Sequence, residues 1–343
     1  MCSRREALHF GGAAIAAAWM GGGRAHAGDS VEGRVMTVTG PVAPGELGIT
    51  LPHEHVLVDF IGADRVSRDR YDPDEVMRVV EPQLRRLREA GAKTLAECTP
   101  AYLGRDPQLL AGFARATGMH LLTNTGYYAA AGGKYVPAHA HGESADQLAE
   151  RWLDEWREGI EGTDVRPGFI KIGVDAGPLT EVGRKLVQAA ARTHRQSGLT
   201  IAAHTGDGAA ALEELTILAE EGVSPSAWIW VHAQIEQNLE LHVQAAGRGA
   251  WVEFDGVSPE SIERHVALVT NMKRQGLLER LLISHDAGWY AVGEPRGGSF
   301  RPYDTLFTQF LPALRAAGLG DDDVHRLTVA APAEALAIRV RRS

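Results

Sequence analysis

Eight runs of strand-forming residues alternate with amphipathic helical runs, and this alternation constrains the fold more than any other feature of the chain. The runs are rich in β-branched, aromatic and leucine residues, and they end in small or polar ones. They cover Leu51–Asp59, Thr94–Thr99, His120–Tyr127, Gly168–Val174, Thr200–Thr205, Trp228–His232, Ala250–Asp255 and Leu281–Asp286. Eight strands, each followed by helical sequence over about 250–300 residues, predict an α/β fold of the (β/α)8 type, a TIM barrel.

Helix boundary signals support the helical half of the pattern. Asp72 and Pro73 predict a helix start and Gly91 its end. Ser144 and Gln147 form a capping box ahead of an apolar stripe. The other predicted helices begin at Ser258-Pro259 or cover Glu181–Ser197, Ala209–Glu221 and Tyr303–Ala317.

The main alternative fold is a doubly wound open sheet. Such a sheet would place a glycine-rich phosphate turn after its first strand, and the sequence has none after Leu51–Asp59. Neither a linker nor a change in composition interrupts residues 31–343. We therefore predict a single-domain barrel over residues 28–343, preceded by a separate segment at residues 1–27.

Residues 1–27 have the three parts of a twin-arginine signal peptide. Arg4 and Arg5 precede an apolar stretch over Phe10–Gly23, and the Ala-His-Ala sequence at 25–27 supplies a cleavage site. The apolar stretch is too short to span a bilayer. A mitochondrial leader and a disordered tail are the alternatives. The signal peptide predicts a periplasmic or secreted protein whose mature form has no membrane anchor.

The charge balance and the cysteine count exclude several classes of protein. With 44 acidic and 35 basic residues the net charge is −9, which argues against nucleic acid or an anionic membrane as a partner. The two cysteines, Cys2 and Cys98, cannot form a disulfide framework. The expected partner is a small molecule, and assembly as a homodimer stays open.

Side chains that bind metals or titrate lie at or near the ends of five of the eight strands. Barrel enzymes build their sites at the C-terminal ends of the strands, and residues two apart on a strand point the same way. The residues concerned are His53, His55, Lys171, His204, His232 and Asp286. Four imidazoles, a carboxylate and a lysine at one barrel mouth predict a metal site.

Each of these residues has a plainer interpretation. The His53-x-His55 pair could bond backbone carbonyls, and His204 or His232 alone could be an ordinary core histidine. A buried Lys171 ammonium costs several kcal/mol unless it is paired or chemically changed. Its alternatives are a salt bridge to Asp286 or Glu97, or a Schiff-base lysine as in an aldolase.

The size of the set predicts two ions. Imidazole and carboxylate ligands suit Zn²⁺ first, with Mn²⁺, Co²⁺ and Fe²⁺ as alternatives. Four histidines and an aspartate exceed the needs of one open catalytic ion and suit two ions about 3.5–4 Å apart. Lys171 carboxylated by CO₂ would supply an anionic bridge and remove the buried ammonium. Asp286 is then expected to bind one ion and to accept the proton of the attacking water.

The motifs resemble those of the phosphotriesterase family in the amidohydrolase superfamily. The resemblance rests on Leu51-Pro-His-Glu-His55, on Arg166-Pro-Gly-Phe-Ile-Lys171 and on Ser284-His-Asp286, and it runs from about Val35 to the C-terminus. It implies that His53, His55 and Asp286 bind a more buried ion. It also implies that His204 and His232 bind a more exposed ion, and that carboxylated Lys171 and a hydroxide bridge the two.

The family hydrolyses phosphotriesters, lactones and other esters, so the resemblance implies a small-molecule substrate of this kind. Tyr128 stands where phosphotriesterases have Trp and lactonases have Tyr, which favours lactones. Gly256 stands where phosphotriesterases have His and acyl-homoserine lactonases have Arg, which resembles a looser branch acting on sugar-like lactones. The predicted function is an exported lactone or ester hydrolase. A phosphotriesterase and a non-catalytic barrel binding protein are the alternatives.

Loop residues near the strand ends are the remaining candidates. Tyr128, Trp289 and Arg301 are predicted to contact substrate. Arg296, Arg301 and Lys134 could bind an anionic substrate group, with solvated loop charges as the alternative for each. The second His-x-His pair, His139 and His141, could hold a further metal.

Overall fold

A ring of eight parallel strands lies at the centre of the computed structural model, which describes residues 31–343. The predicted signal peptide lies outside the described residues. A short antiparallel hairpin, β1 (Val35–Thr37) and β2 (Gly40–Val42), precedes the ring. The barrel strands are β3 (Ile49–Val58), β4 (Ala92–Glu97), β5 (His120–Leu122) continued by β6 (Asn124–Thr125), β7 (Phe169–Val174), β8 (Ile201–Thr205), β9 (Trp228–Val231), β10 (Trp251–Phe254) and β11 (Leu281–Ile283).

Each predicted strand overlaps one of these barrel strands, so the predicted TIM barrel is confirmed. The third strand is interrupted at Thr123, with β5 pairing to β4 and β6 pairing to β7. The ring closes between β11 and β3 through the Asp286 amide, which donates to the His53 carbonyl at 3.2 Å. A further strand, β12 (Gly288–Ala291), then runs parallel to β3 from His55 onward.

Helices surround the ring, and most begin and end near the predicted positions. They are α1 (Pro73–Glu89), α2 (Pro107–Thr117), α3 (Ala138–Gly142), α4 (Ala145–Glu158), α5 (Glu181–Ser197), α6 (Gly208–Glu220), α7 (Leu239–Gly247), α8 (Ile262–Arg274), α9 (Leu311–Ala316), α10 (Asp321–His325) and α11 (Ala331–Leu336). The capping box of Ser144 and Gln147 is formed at the start of α4. No helix among residues 31–343 is long and apolar enough to cross a membrane.

Two predicted helix positions differ from the structure. The helix predicted from Ser258-Pro259 begins at Ile262, because Ser258 is held in a turn in which its amide donates to Ser261 Oγ at 2.8 Å. The helix predicted over Tyr303–Ala317 opens with a π-helical turn, Leu306–Phe310, before α9. Pro312 follows that turn and has no N–H to continue an ordinary helical bond pattern.

The core lies between the strands and the inward stripes of the helices. On α1 the apolar stripe, Val76, Val80, Leu84 and Leu87, is buried. The apolar faces of the helices therefore pack against the outside of the barrel. The polar side chains at the C-terminal ends of the strands lie at the mouth of the barrel.

Candidate metal centre

Two strand ends bring three predicted ligands together. His53 and His55 project from β3, and Asp286 follows β11. Asp286 Oδ1 lies 3.1 Å from His55 Nε2 and 3.8 Å from His53 Nε2. One ligand atom from each residue lies within 4.8 Å of the other two, so the three residues could hold a metal ion.

Two atoms at this point are buried without a partner. Among the described residues, His53 Nε2 and Asp286 Oδ1 make no hydrogen bond. Buried polar atoms are nearly always satisfied, and an unpaired nitrogen beside an unpaired carboxylate oxygen is the donor set that a divalent cation takes. The residues present therefore fit a bound metal.

His232 and His204 continue the cluster across β9 and β8. The ring of His232 lies 5.0 Å from that of His53 and 4.5 Å from that of His204, measured between centroids. His232 and Asp286 have left-handed backbones, with φ of 63° and 53°. Such strain in residues other than glycine is concentrated at functional sites. All four predicted imidazoles thus meet at one barrel mouth.

Lys171 lies on β7 and is 2% exposed. The salt bridge to Asp286 or Glu97 considered from the sequence is not formed, since no ion pair within residues 31–343 involves this ammonium. Burial and the Lys171 charge together lower the pKa of His53 well below its usual value. A buried, unpaired ammonium beside imidazoles is costly, and conversion to a carbamate would remove that cost.

Buried carboxylates lie behind the imidazoles, and sequence reasoning missed how they act. Asp255 Oδ1 accepts from His232 Nδ1 at 2.6 Å, and Glu253 Oε2 accepts from His53 Nδ1 at 3.1 Å. With Nδ1–H donating outward, each Nε2 keeps its lone pair for a metal. Burial raises the pKa of Glu253, while for Asp255 the charge and hydrogen bond of His232 outweigh burial and lower the pKa. Their two-residue spacing at the end of β10, with Asp255 directly after the strand, was the available signal.

A second chain of contacts supports His55. Its Nδ1 lies 2.7 Å from Thr99 Oγ1, and Thr99 in turn bonds the Glu97 carboxylate. Burial raises the pKa of Glu97. Glu54 points away from the four clustered imidazoles and accepts from the Ala287 amide at 2.8 Å. These contacts hold the ends of β3 and β11 around the cluster.

The predicted substrate-contacting residues lie beside the cluster. Tyr128 Oη is 3.0 Å from His204 Nδ1. The Trp289 ring lies 5.2 Å from the His55 ring, and Arg301 lies over the Trp289 ring at 4.7 Å. All three therefore flank the proposed ligands.

Two further sequence features have structural outcomes. At Gly256 a Cβ would lie 2.8 Å from Gln234 Nε2, which itself donates to Asp255 Oδ1 at 2.8 Å. Gln234 thus occupies the space that a larger residue at 256 would need. His139 Nε2 is engaged by Tyr127 Oη at 3.1 Å, and no potential metal group within residues 31–343 includes His139 or His141.

Comparison with known proteins finds relatives and solved structures that resemble the chain over most of its length. A phosphotriesterase homology protein from Escherichia coli is 32% identical over 281 residues, covering 81% of this chain and 94% of that protein. Human N-acetyltaurine hydrolase is 25% identical over 354 residues, covering 90% and 99%. A solved structure superposes with a TM-score of 0.80 at 28% identity, covering 88% and 99%. It is described as organophosphate hydrolysis activity engineered from a weak promiscuous lactonase template.

The family-level match covers nearly all of the described residues. The sequence profile of the phosphotriesterase family matches residues 33–336, which include every strand of the barrel and all six predicted ligands. The resemblance drawn from the motifs is thereby confirmed: the chain belongs to the phosphotriesterase family.

Proposed function

We propose that the chain is an exported, binuclear metal-dependent hydrolase that cleaves lactones or related esters. The observation that carries the proposal is the meeting of His53 Nε2 and Asp286 Oδ1, both buried without a hydrogen bond, with His55 Nε2 3.1 Å from the carboxylate oxygen. Membership of the family supports hydrolysis. The expected ligands are the six predicted residues, holding two divalent ions, with Zn²⁺ expected first.

Divalent ions in this cluster would supply Lewis acidity to an ester carbonyl and lower the pKa of water toward neutrality. The side chains perform the remaining tasks. Asp286 lies among the imidazoles and is expected to accept the proton of the attacking water at its carboxylate. Its backbone is held by the His53 carbonyl, and its Oδ2 atom lies 4.0 Å from Arg301. The carboxylate is therefore positioned before substrate arrives.

Lys171 is expected to act as an N6-carboxylated ligand between the two ions. Its burial and its lack of an ion pair among the described residues support this role. The carboxylate that contacts His232, that of Asp255, bonds its Nδ1 atom, which leaves the second ion in need of an anionic ligand. A carbamate on β7, which pairs with β8 along Lys171–Ala202, would supply one.

The substrate preference rests on Tyr128. Its hydroxyl contacts His204, and tyrosine at this position is the lactonase pattern. The description of the similar solved structure names both a lactonase template and organophosphate hydrolysis. It therefore supports lactones as the preferred substrates, with a phosphotriesterase as the second candidate function. The relationship to N-acetyltaurine hydrolase adds an amide to the substrates that must be tested.

The test is metal analysis followed by a substrate panel. Purified 28–343 protein is expected to contain two ions per chain. It should hydrolyse γ- and δ-lactones better than aryl esters, diethyl 4-nitrophenyl phosphate or N-acetyltaurine. Chelation should remove the activity and added Zn²⁺ should restore it. Preference for the phosphotriester would favour the second candidate. Two bound ions without turnover of any of these substrates would favour a binding protein.

Export is tested separately on the full chain. Replacing both Arg4 and Arg5 with Lys should leave the precursor in the cytoplasm, because a twin-arginine signal requires the arginine pair. Cell fractionation and precursor processing are the measurements. Normal periplasmic delivery of the double variant would indicate another route.

A further inference from the structure

A cavity of about 440 Å³ opens beside Asp286 at the mouth of the barrel. Trp289 and Arg301 form its wall together with the loop that carries Glu294 and Gly298. The cavity is continuous with the proposed proton acceptor, so its wall decides what part of a substrate can lie next to the scissile bond.

Arg301 is built into this wall by its backbone. Its amide donates to the Gly288 carbonyl at 2.9 Å, and the Gly288 amide donates to the Arg301 carbonyl at 2.9 Å. Gly288 in turn pairs with His55 in the register of β12 and β3. The position of Arg301 is therefore tied to that of a proposed metal ligand.

Trp289 connects the arginine to Asp286. Its indole N–H donates to the Asp286 carbonyl at 2.9 Å. The guanidinium carbon of Arg301 lies 4.7 Å from the centroid of its ring. Trp289 has a left-handed backbone with φ of 74°, a conformation that is costly for a bulky residue. In this conformation the Trp289 side chain contacts four residues at the mouth, Asp286, His55, Phe60 and Arg301.

The guanidinium keeps unused hydrogen-bonding capacity. Within residues 31–343, its one hydrogen bond is to the Asp286 carbonyl, and its side chain is 51% exposed. A guanidinium has five N–H donors in a planar fork that matches a carboxylate. The nearest carboxylate oxygen, Asp286 Oδ2, lies 4.0 Å away, and Glu294 in the cavity wall forms no ion pair with it.

We propose that Arg301 is a specificity residue that binds a carboxylate carried by the substrate, so that the preferred esters or lactones are anionic. The inference rests on the proposed hydrolase function, because it places the scissile carbonyl at Asp286. A planar fork stacked on an indole favours a bidentate carboxylate over a neutral chain.

A second cation offers a matched control. Lys134 lies over the Tyr135 ring at 5.4 Å, and Tyr135 is linked to Trp289 through ring contacts with Phe60. Lys134 is exposed and is likewise stacked on an aromatic ring, but it lacks the tie to Asp286. A variant of Lys134 tests whether any cation at the mouth of the barrel can bind the substrate carboxylate.

The experiment compares two esters of equal acyl length, 4-nitrophenyl hemiadipate and 4-nitrophenyl hexanoate. The wild-type protein should favour the hemiadipate in kcat/KM by roughly tenfold, the value of one charge-assisted contact. The Arg301→Gln variant should bring the ratio close to one, and Arg301→Lys should give an intermediate ratio because it keeps the charge and loses the fork. Lys134→Gln should keep the ratio within about twofold.

A binding measurement separates this proposal from the hydrolase proposal. Titration calorimetry with adipamate and hexanamide uses two amides that differ only in the terminal carboxylate. Adipamate should bind the wild-type protein more tightly, and Arg301→Gln should remove the difference. If no ester is turned over but this pattern holds, the hydrolase proposal fails and the Arg301 site stands.

Three results would overturn the Arg301 assignment. The first is hydrolysis of both esters with no preference for the hemiadipate. The second is a preference that survives in Arg301→Gln, which would place the carboxylate on a metal ion. The third is a preference that is lost in Lys134→Gln and kept in Arg301→Gln, which would move the site to the other end of the mouth.

Discussion

The two halves of the proposed metal centre are built differently. In the β3–β11 half, ligand atoms of His53, His55 and Asp286 lie within 4.8 Å of one another. In the β8–β9 half, His204 and His232 meet through their rings, and His204 is bonded by Tyr128. In the first half Asp286 lies beside the Nε2 atoms of the histidines, whereas in the second half Asp255 bonds Nδ1 of His232 from behind.

The groups behind each half differ as well. Behind the first half are chains of hydrogen bonds through Thr99 to Glu97 and from His53 to Glu253. Behind β8 and β9 lies Glu214, whose pKa is raised to about 8 by burial despite hydrogen bonds from Thr205 and Trp228. Asp255 supports His232 in the second half as Glu253 supports His53 in the first, and we propose that carboxylated Lys171 completes the second half.

The largest expected effect is that of Lys171→Ala. If Lys171 supplies the carboxylate of the β8–β9 half, this variant should lose the ion of that half first, and hydrolysis with it. Metal content per chain and turnover are the measurements, with Lys93→Ala at the start of β4 as the control. Propionate should restore part of both. Unchanged metal content and turnover would exclude the bridging role.

Asp286→Asn should have the next largest effect. The amide keeps the shape of the side chain but cannot accept the proton, so kcat should fall by about 10²–10⁴-fold while the fold persists. Circular dichroism and metal content check the fold and the site. A near wild-type kcat with two ions bound would place the proton acceptor elsewhere, with Asp255 as the nearest candidate in the cluster.

Thr99→Val should affect the β3–β11 half alone. The valine has the shape of threonine but cannot join His55 Nδ1 to Glu97, and loss of such a supporting contact typically weakens metal binding by about 10–100-fold. Competition with a chelator measures the affinity of each ion, and Thr99→Ser should retain it. Equal weakening of both ions would show that the two halves are not independent.

The smallest expected effect is the pH dependence of stability at Glu214. A carboxyl whose folded-state pKa is raised stabilises the fold fully below its unfolded pKa of about 4.3, and this contribution declines as the pH rises toward about 8. Glu214→Gln keeps the hydrogen bonds and cannot ionise. Relative to wild type it should gain stability between these pH values, by at most about 1.4 kcal/mol per pH unit. Urea unfolding at several pH values measures this, and a constant difference would contradict a raised pKa.

The sequence predicted the barrel well because the fold is encoded locally. The spacing of apolar residues identifies each strand and helix separately. The capping box at the start of α4 can be recognised from four consecutive residues that begin at Ser144. The start of α8 and the π-helical turn before Pro312 were missed, because serine side chains and a missing N–H compete with ordinary helical bonds there.

The proposed metal ligands could be predicted from the sequence, but the carboxylates that support them could not. The proposed ligands could be located because strand ends meet at one barrel mouth. The supporting contacts were not, since His53 and Glu253 are 200 residues apart and their pairing depends on barrel register. For the same reason, the salt bridge considered for Lys171 could be rejected only from the structure.

Gln234 couples the space at residue 256 to the groups that lie behind the proposed ligands. A larger residue at Gly256, as found in specialised phosphotriesterases and lactonases, would collide with a side-chain amide that is itself bound to Asp255. Asp255 also bonds His232, so a shift of Gln234 would remove one of the hydrogen bonds that hold the group behind a proposed ligand. Enlarging residue 256 therefore requires the Gln234 side chain to move, so a library that varies residues 234 and 256 together samples this part of the mouth more fully than one that varies residue 256 alone.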